Sequence, residues 1–138
     1  MNRITTTATT VAALAATALA LTACDTSSLN AETKNDTPTV VKEGAPFTHD
    51  NFKVKPGWKL TKDQFGGYAG VKGLTVTNTG GNQRTALFTL RLYKGKSVLA
   101  EIECDSNEMQ KGEVSKLDCS STDKLPKSYS AIKIADMF

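Results

Sequence analysis

Apolar and polar residues alternate over most of the chain after Phe47, in short runs that are separated by turn residues. The clearest run is residues 86–93 (ALFTLRLY), in which every even-numbered residue is apolar. A two-residue period is the pattern of a β-strand with one buried face. Nothing after residue 24 keeps the 3.6-residue period of an amphipathic helix. We therefore expect an all-β domain over residues 47–138.

Several other runs alternate in the same way, and turn residues separate them. Gly95, in Lys94-Gly95-Lys96, supplies the positive φ that a tight hairpin turn needs. Six to seven short antiparallel strands with such turns predict a small sandwich or barrel. The apolar positions of these runs are Phe52 and Val54; Leu74 and Val76; Val98, Ala100, Ile102 and Cys104; Leu117 and Cys119; Ile132 and Ile134.

The first 24 residues have the three parts of a secretory signal: Arg3, an uncharged apolar run at 11–21, and small residues before Cys24. Their ending, Leu21-Thr22-Ala23-Cys24, resembles the lipobox of bacterial lipoproteins. The resemblance implies a signal peptide at 1–23, a diacylglyceryl anchor on Cys24, and a domain held at the extracytoplasmic face of the cell membrane. Two acyl chains are the usual requirement for stable attachment.

Two other interpretations of this segment remain open. A transmembrane helix needs about 20 apolar residues, which is more than the run at 11–21 provides. An ordinary cleaved signal would leave Cys24 as a free thiol and the cysteine count odd, whereas lipidation uses Cys24 and leaves Cys104 and Cys119 as a pair.

Residues 24–46 are predicted to be the lipidated cysteine and a flexible tether, because they are rich in small polar and charged residues and have almost no apolar pattern. The chain has 17 Lys and Arg residues, of which only Arg3 lies in the signal, against 14 Asp and Glu. So mild an excess of positive charge indicates no nucleic-acid partner.

Cys104 and Cys119 are expected to form a disulfide, since an extracytoplasmic compartment is oxidising and both cysteines occupy inward positions of consecutive strands. The alternative is a metal or redox site. No Cys-x-x-Cys spacing occurs, and His49, the only histidine, lies far upstream. We therefore expect no metal and no cofactor.

Three short motifs between Val71 and Lys116 resemble the FxLYD-type domains of bacterial envelope proteins. They are Gly73-Leu74-Thr75-Val76-Thr77-Asn78-Thr79-Gly80, Leu90-Arg91-Leu92-Tyr93-Lys94-Gly95, and Lys111-Gly112-Glu113. The resemblance implies an immunoglobulin-like β-sandwich without catalytic residues. Leu90, Lys94 and Lys111 replace the family's Phe, Asp and Pro.

A surface of Arg91, Tyr93 and Lys94 is the predicted contact region, because Arg91 and Tyr93 lie on the strand face opposite Phe88 and Leu92. Aromatic residues are enriched at interfaces. Lysines around this surface would face anionic wall polymers or lipid headgroups. The competing interpretation is that the lysines only keep the face solvated and protect strand edges.

No catalytic arrangement can be assembled around one histidine, so we predict a protein that is not an enzyme. The leading hypothesis is a membrane-anchored lipoprotein that acts as a binding module toward an envelope protein or wall polymer. A prophage- or plasmid-encoded exclusion lipoprotein is the alternative, and an envelope hydrolase is the third hypothesis.

Overall fold

A computed structural model describes residues 38–137, and the chain there forms eleven strands with no helical segment among them. The predicted signal peptide, the predicted anchor at Cys24 and the predicted tether up to residue 37 lie outside the described residues. The strands are β1 (Thr39–Val41), β2 (Phe47–His49), β3 (Phe52–Val54), β4 (Lys59–Lys62), β5 (Ala69–Lys72), β6 (Thr75–Asn78), β7 (Arg84–Lys94), β8 (Ser97–Met109), β9 (Val114–Lys116), β10 (Asp118–Ser120) and β11 (Ala131–Asp136).

The strands form three antiparallel sheets that share one apolar core. The large sheet has the order β1-β11-β7-β8-β10, the small sheet has the order β2-β3-β6-β9, and β4 and β5 pair as a separate hairpin. The two main sheets meet where the rings of Phe47 and Phe88 pack edge to face, with centroids 6.5 Å apart. The predicted small all-β sandwich is confirmed.

The alternation in the two longest strands determines which residues enter the core. Phe88 is 1% exposed, and Leu90 and Leu92 of β7 are fully buried, as are Ile102 and Cys104 of β8. Each of these strands presents one apolar face to the other layer. Together they form a hairpin at the centre of the large sheet. Its turn contains Gly95 with φ 61°, as predicted.

The described strands number eleven where six to seven were expected. The strands without an alternating apolar run in the sequence have only three or four residues each, and they are β1, β2, β4, β5 and β9. The domain also begins earlier than predicted. Thr39–Val41, which lies in the predicted tether 24–46, pairs with β11, and Val41 is only 8% exposed. Two successive β-branched valines favour a strand at this position.

The disulfide between Cys104 and Cys119 joins directly opposite residues of β8 and β10, with Cα atoms 4.1 Å apart. Cys104 is fully buried, and Cys119 packs against the core. The predicted pairing is confirmed, and it fastens a three-residue edge strand to the centre of the large sheet.

Removing this disulfide is expected to lower stability by about 3 kcal/mol, the chain-entropy value for a loop of about 15 residues. Urea unfolding of the oxidised protein, the reduced protein and a Cys104→Ala/Cys119→Ala variant measures the effect. Reduction should lower the midpoint of the wild type and leave that of the variant unchanged. Equal midpoints for the oxidised and reduced wild type would contradict the expectation.

Asn78 is a fully buried polar residue whose side-chain amide is completely bonded to the backbone. Its Nδ2 donates to the carbonyls of Asn82, at 2.9 Å, and Met109, at 3.0 Å, and its Oδ1 accepts from the Gly80 amide at 2.9 Å. One side chain thereby joins β6, the following loop and the end of β8. Its bonds give a physical reason for an asparagine at this position.

Asn78→Ala should destabilise the fold by about 2–3 kcal/mol, because each buried backbone group left without a partner costs about 1–3 kcal/mol. Chemical denaturation measures the loss. Asn82→Ala is the matched control: Asn82 is exposed and uses only its backbone carbonyl in this network, so its effect should stay within about 0.5 kcal/mol. Similar losses for both variants would refute this account.

Candidate functional site

The predicted contact residues Arg91 and Tyr93 lie together on the outer face of the large sheet, where both have partners. Arg91 Nε is 3.0 Å from Glu101 Oε1 on β8, an ion pair and not an aligned hydrogen bond. Lys133 Nζ of β11 is 4.4 Å from the centroid of the Tyr93 ring. Lys94 is exposed at the end of β7. The sheet therefore already engages two of the three predicted contact side chains.

A cleft of about 560 Å³ opens beside this surface, where β1 ends and β11 begins. Ser130 borders it and donates through its backbone N–H to the Tyr93 carbonyl at 2.7 Å, which places the cleft at the β7–β8 turn end of the sandwich. Its volume lies within the usual range of small-ligand sites. The lining residues are Val40, Val41, Lys42, Glu43, Gly44, Gly57, Trp58, Lys59, Tyr129, Ser130, Ala131 and Ile132.

Glu43 is the polar residue that holds the walls of the cleft together. Its Oε1 accepts a hydrogen bond from the Leu60 backbone N–H at 2.9 Å, and its Oε2 accepts one from the Tyr129 hydroxyl at 2.8 Å. Glu43 follows β1, Leu60 is in β4, and Tyr129 precedes β11. One carboxylate thus joins three segments that are distant in the sequence.

The pKa of Tyr129 is raised above its usual value of 10.0, first because the phenol is partly desolvated and then because it donates to the negatively charged Glu43. The hydroxyl therefore stays protonated through the physiological range and keeps its bond to the carboxylate. A preformed polar contact of this kind fixes the shape of the cleft before any ligand enters.

The lining of the cleft combines an apolar wall with two cationic side chains. Val40 is 65% exposed, and Val41 and Ile132 lie behind it. Lys42 and Lys59 are both exposed at the rim. The arrangement suits a ligand that has an apolar group next to an anionic one, since the valines exclude water and the ammonium groups attract negative charge.

The predicted contact residues Arg91, Tyr93 and Lys94 do not line the cleft, and its organising residue Glu43 was not predicted from the sequence. Tyr129 and Trp58 stand out in the sequence as aromatic residues, but Trp58 is fully buried and its Nε1 donates to the Ala45 carbonyl at 2.8 Å. Glu43 was missed because it lies in the predicted tether. The signal that could have found it is Val40-Val41, a β-branched pair directly before it.

His49 pairs with Asp136, and their Nε2 and Oδ1 atoms are 2.9 Å apart. The pair joins β2 of the small sheet to β11 of the large sheet and is mostly buried. Among residues 38–137, no group of three or more His, Cys, Asp or Glu side chains is placed to hold a metal ion. No helix in that part of the chain is long and apolar enough to cross a bilayer.

No protein-family model, curated protein or solved structure matches this chain.

Tyr129 should ionise above its ordinary pKa, and part of that shift should disappear in Glu43→Gln. The largest cause, desolvation, remains in that variant, whereas the charge of Glu43 is removed. The absorbance difference at 295 nm between wild type and Tyr129→Phe isolates the titration of this one phenol.

The same shift has a consequence for stability, and its sign is fixed by the raised pKa of the folded state. The contribution of Tyr129 is complete below pH 10 and is lost as the pH rises through the folded-state pKa. Wild type should therefore lose more stability than Tyr129→Phe over that alkaline range. If both proteins lose stability equally, the contact between Tyr129 and Glu43 does not exist in solution.

Proposed function

We propose that this protein is a lipoprotein anchored through Cys24 to the extracytoplasmic face of the cell membrane, and that its β-sandwich is a non-catalytic binding module of the cell envelope. The lipobox-like sequence before Cys24 and the resemblance to FxLYD-type, immunoglobulin-like envelope domains support this proposal. The partner is an envelope protein or a wall polymer that presents an apolar group beside an anionic one.

The observation that carries the binding role is the cleft that Glu43 and Tyr129 hold in shape. Its wall includes Val40, which is 65% exposed, so an apolar side chain faces solvent beside a preformed cavity. Exposed apolar surface at the rim of a cavity is a general mark of ligand and partner sites.

The non-catalytic role is supported by the contacts of the side chains that are chemically suited to acid–base catalysis. His49 is committed to Asp136 between the two sheets, and Glu43 accepts bonds from Leu60 and Tyr129. Glu101 pairs with Arg91, and Glu103 is exposed on the same face of β8. Except for Glu103, these groups have partners through which they stabilise the fold or shape the cleft.

Site-specific photo-crosslinking in cells tests the proposal. A photoreactive residue at Val40, on the rim of the cleft, should give a discrete adduct, and the same residue at Gln83 should not. Gln83 is exposed and precedes β7, at the opposite end of that strand from the cleft. Lys42→Glu in the Val40 variant should reduce the adduct, because it reverses one charge at the rim.

The anchor is tested in the same samples. The peptide that begins at Cys24 should carry a diacylglyceryl group, and Cys24→Ala should release the domain from the membrane and abolish the adduct. Equal adducts from Val40 and Gln83, or none from either, would refute the binding role of the cleft. An unmodified Cys24 would refute the anchor.

A further inference from the structure

Basic and acidic residues are concentrated on different strands of the sandwich. Residues 52–62 and 69–78, which include β3 to β6, contain five lysines and no Asp or Glu, whereas β8 and β10 contain five acidic residues and no Lys or Arg. The lysines are Lys53, Lys55, Lys59, Lys62 and Lys72, and the acidic residues are Glu101, Glu103, Asp105, Glu108 and Asp118.

The β4–β5 hairpin carries several lysines, and their positive charge does not stabilise the fold. Lys59 and Lys72 lie directly opposite each other, and both are exposed. Like charges in directly opposite positions of a strand pair are destabilising. Among the described residues, no ion pair includes either lysine or Lys62 at the far end of β4.

The turn of the same hairpin presents an aromatic side chain to solvent. Phe65 is 88% exposed, the largest value among the large apolar residues that are exposed in residues 38–137, and Tyr68 is 41% exposed. Lys124 is also exposed, and its backbone pairs with that of Tyr68 in an isolated antiparallel β-bridge. The tip therefore combines two aromatic residues with flanking lysines.

This tip is an ordered turn. Asp63 Oδ1 accepts hydrogen bonds from the backbone N–H groups of Gly66, at 3.0 Å, and Tyr68, at 2.9 Å, and these bonds lower the pKa of the exposed Asp63 carboxyl. The ring of Tyr68 lies over Gly66, where an added Cβ would be only 2.6 Å from it. Local contacts thus hold a conformation in which Phe65 points outward.

From this combination we infer that the β4–β5 hairpin, residues 59–72, is a second membrane contact: Phe65 enters the boundary between headgroups and acyl chains, and Lys59, Lys62 and Lys72 meet anionic headgroups. Aromatic residues are favoured at this boundary. Basic residues near it are attracted to anionic lipids. A protein pocket for Phe65 would account for the aromatic tip but not for the lysines along the hairpin.

The inference rests on the proposed anchor, which holds the domain near a bilayer, and the length of the chain permits it. Residues 25–37 separate Cys24 from the first described residue, and 13 residues span at most about 45 Å. A domain of about 100 residues has a radius of gyration of about 13 Å. Any face of the domain, including the one that carries the β4–β5 hairpin, can therefore reach the bilayer.

A tryptophan at the tip measures the contact. Full-length Phe65→Trp protein is reconstituted in vesicles of phosphatidylcholine, alone or mixed equally with phosphatidylglycerol, with and without brominated acyl chains. In the anionic vesicles its emission should shift to shorter wavelength and be quenched by bromine. Leu87→Trp is the matched control, because Leu87 is 41% exposed on the outer face of the large sheet and should remain unquenched. Trp58 is fully buried and gives a constant background.

One further variant and a salt titration test the contribution of charge. Lys62→Glu/Lys72→Glu in the Phe65→Trp protein should abolish the quenching, and Lys59 is left unchanged because it lines the cleft. Added salt should weaken the quenching in the hairpin that keeps its lysines. Quenching that is absent, or equal in neutral and anionic vesicles, would overturn the inference. So would a photoreactive residue at position 65 that captures an envelope protein in cells without labelling lipid. The mass of the Cys24 peptide from the same vesicles tests the anchor separately. An unlipidated Cys24 would refute the anchor, whereas absent quenching in vesicles that hold the lipidated protein would refute only the contact made by the hairpin.

Discussion

The pairing of β7 with β8 is the interaction on which the rest of the sandwich depends. These are the two longest strands, and their inward positions supply Phe88, Leu90, Leu92 and Ile102 to the core. The large sheet is completed by β11 beside β7 and β10 beside β8, while Phe47 brings the small sheet onto Phe88. A continuous apolar face of this length gives the short strands a surface on which to pack, which they could not form by themselves.

The same difference in length explains how much of the fold could be predicted. Alternation over ten or more residues identifies β7 and β8, their buried faces and the inward position of Cys104 from the sequence. A strand of three residues offers at most one alternation, so β1 can be recognised only through its pairing with β11. Val41 is buried because β11 lies next to it, and β11 begins 90 residues later. A composition rich in small polar residues therefore concealed β1 within an apparent tether.

The candidate site shows the same limit. The outward positions of Arg91 and Tyr93 follow from strand parity alone, but their partners Glu101 and Lys133 follow from register, which the sequence does not specify for strands with a polar outer face. Glu43 and Tyr129 are 86 residues apart and meet only once β1 and β11 have paired. The cleft is thus a product of the sheet topology, and no local motif encodes it.

The disulfide has a second role that becomes clear from the residues beside it. Asp118 of β10 lies directly opposite Asp105 of β8, and this like-charged pair weakens an edge strand of only three residues. Charged residues on an edge strand also discourage pairing with another chain, so the acidic edge keeps the sheet closed to further strands. The neighbouring Cys104–Cys119 bond holds β10 in register against that repulsion. A covalent bond at this position therefore keeps β10 paired with β8 although the two strands carry five acidic residues between them.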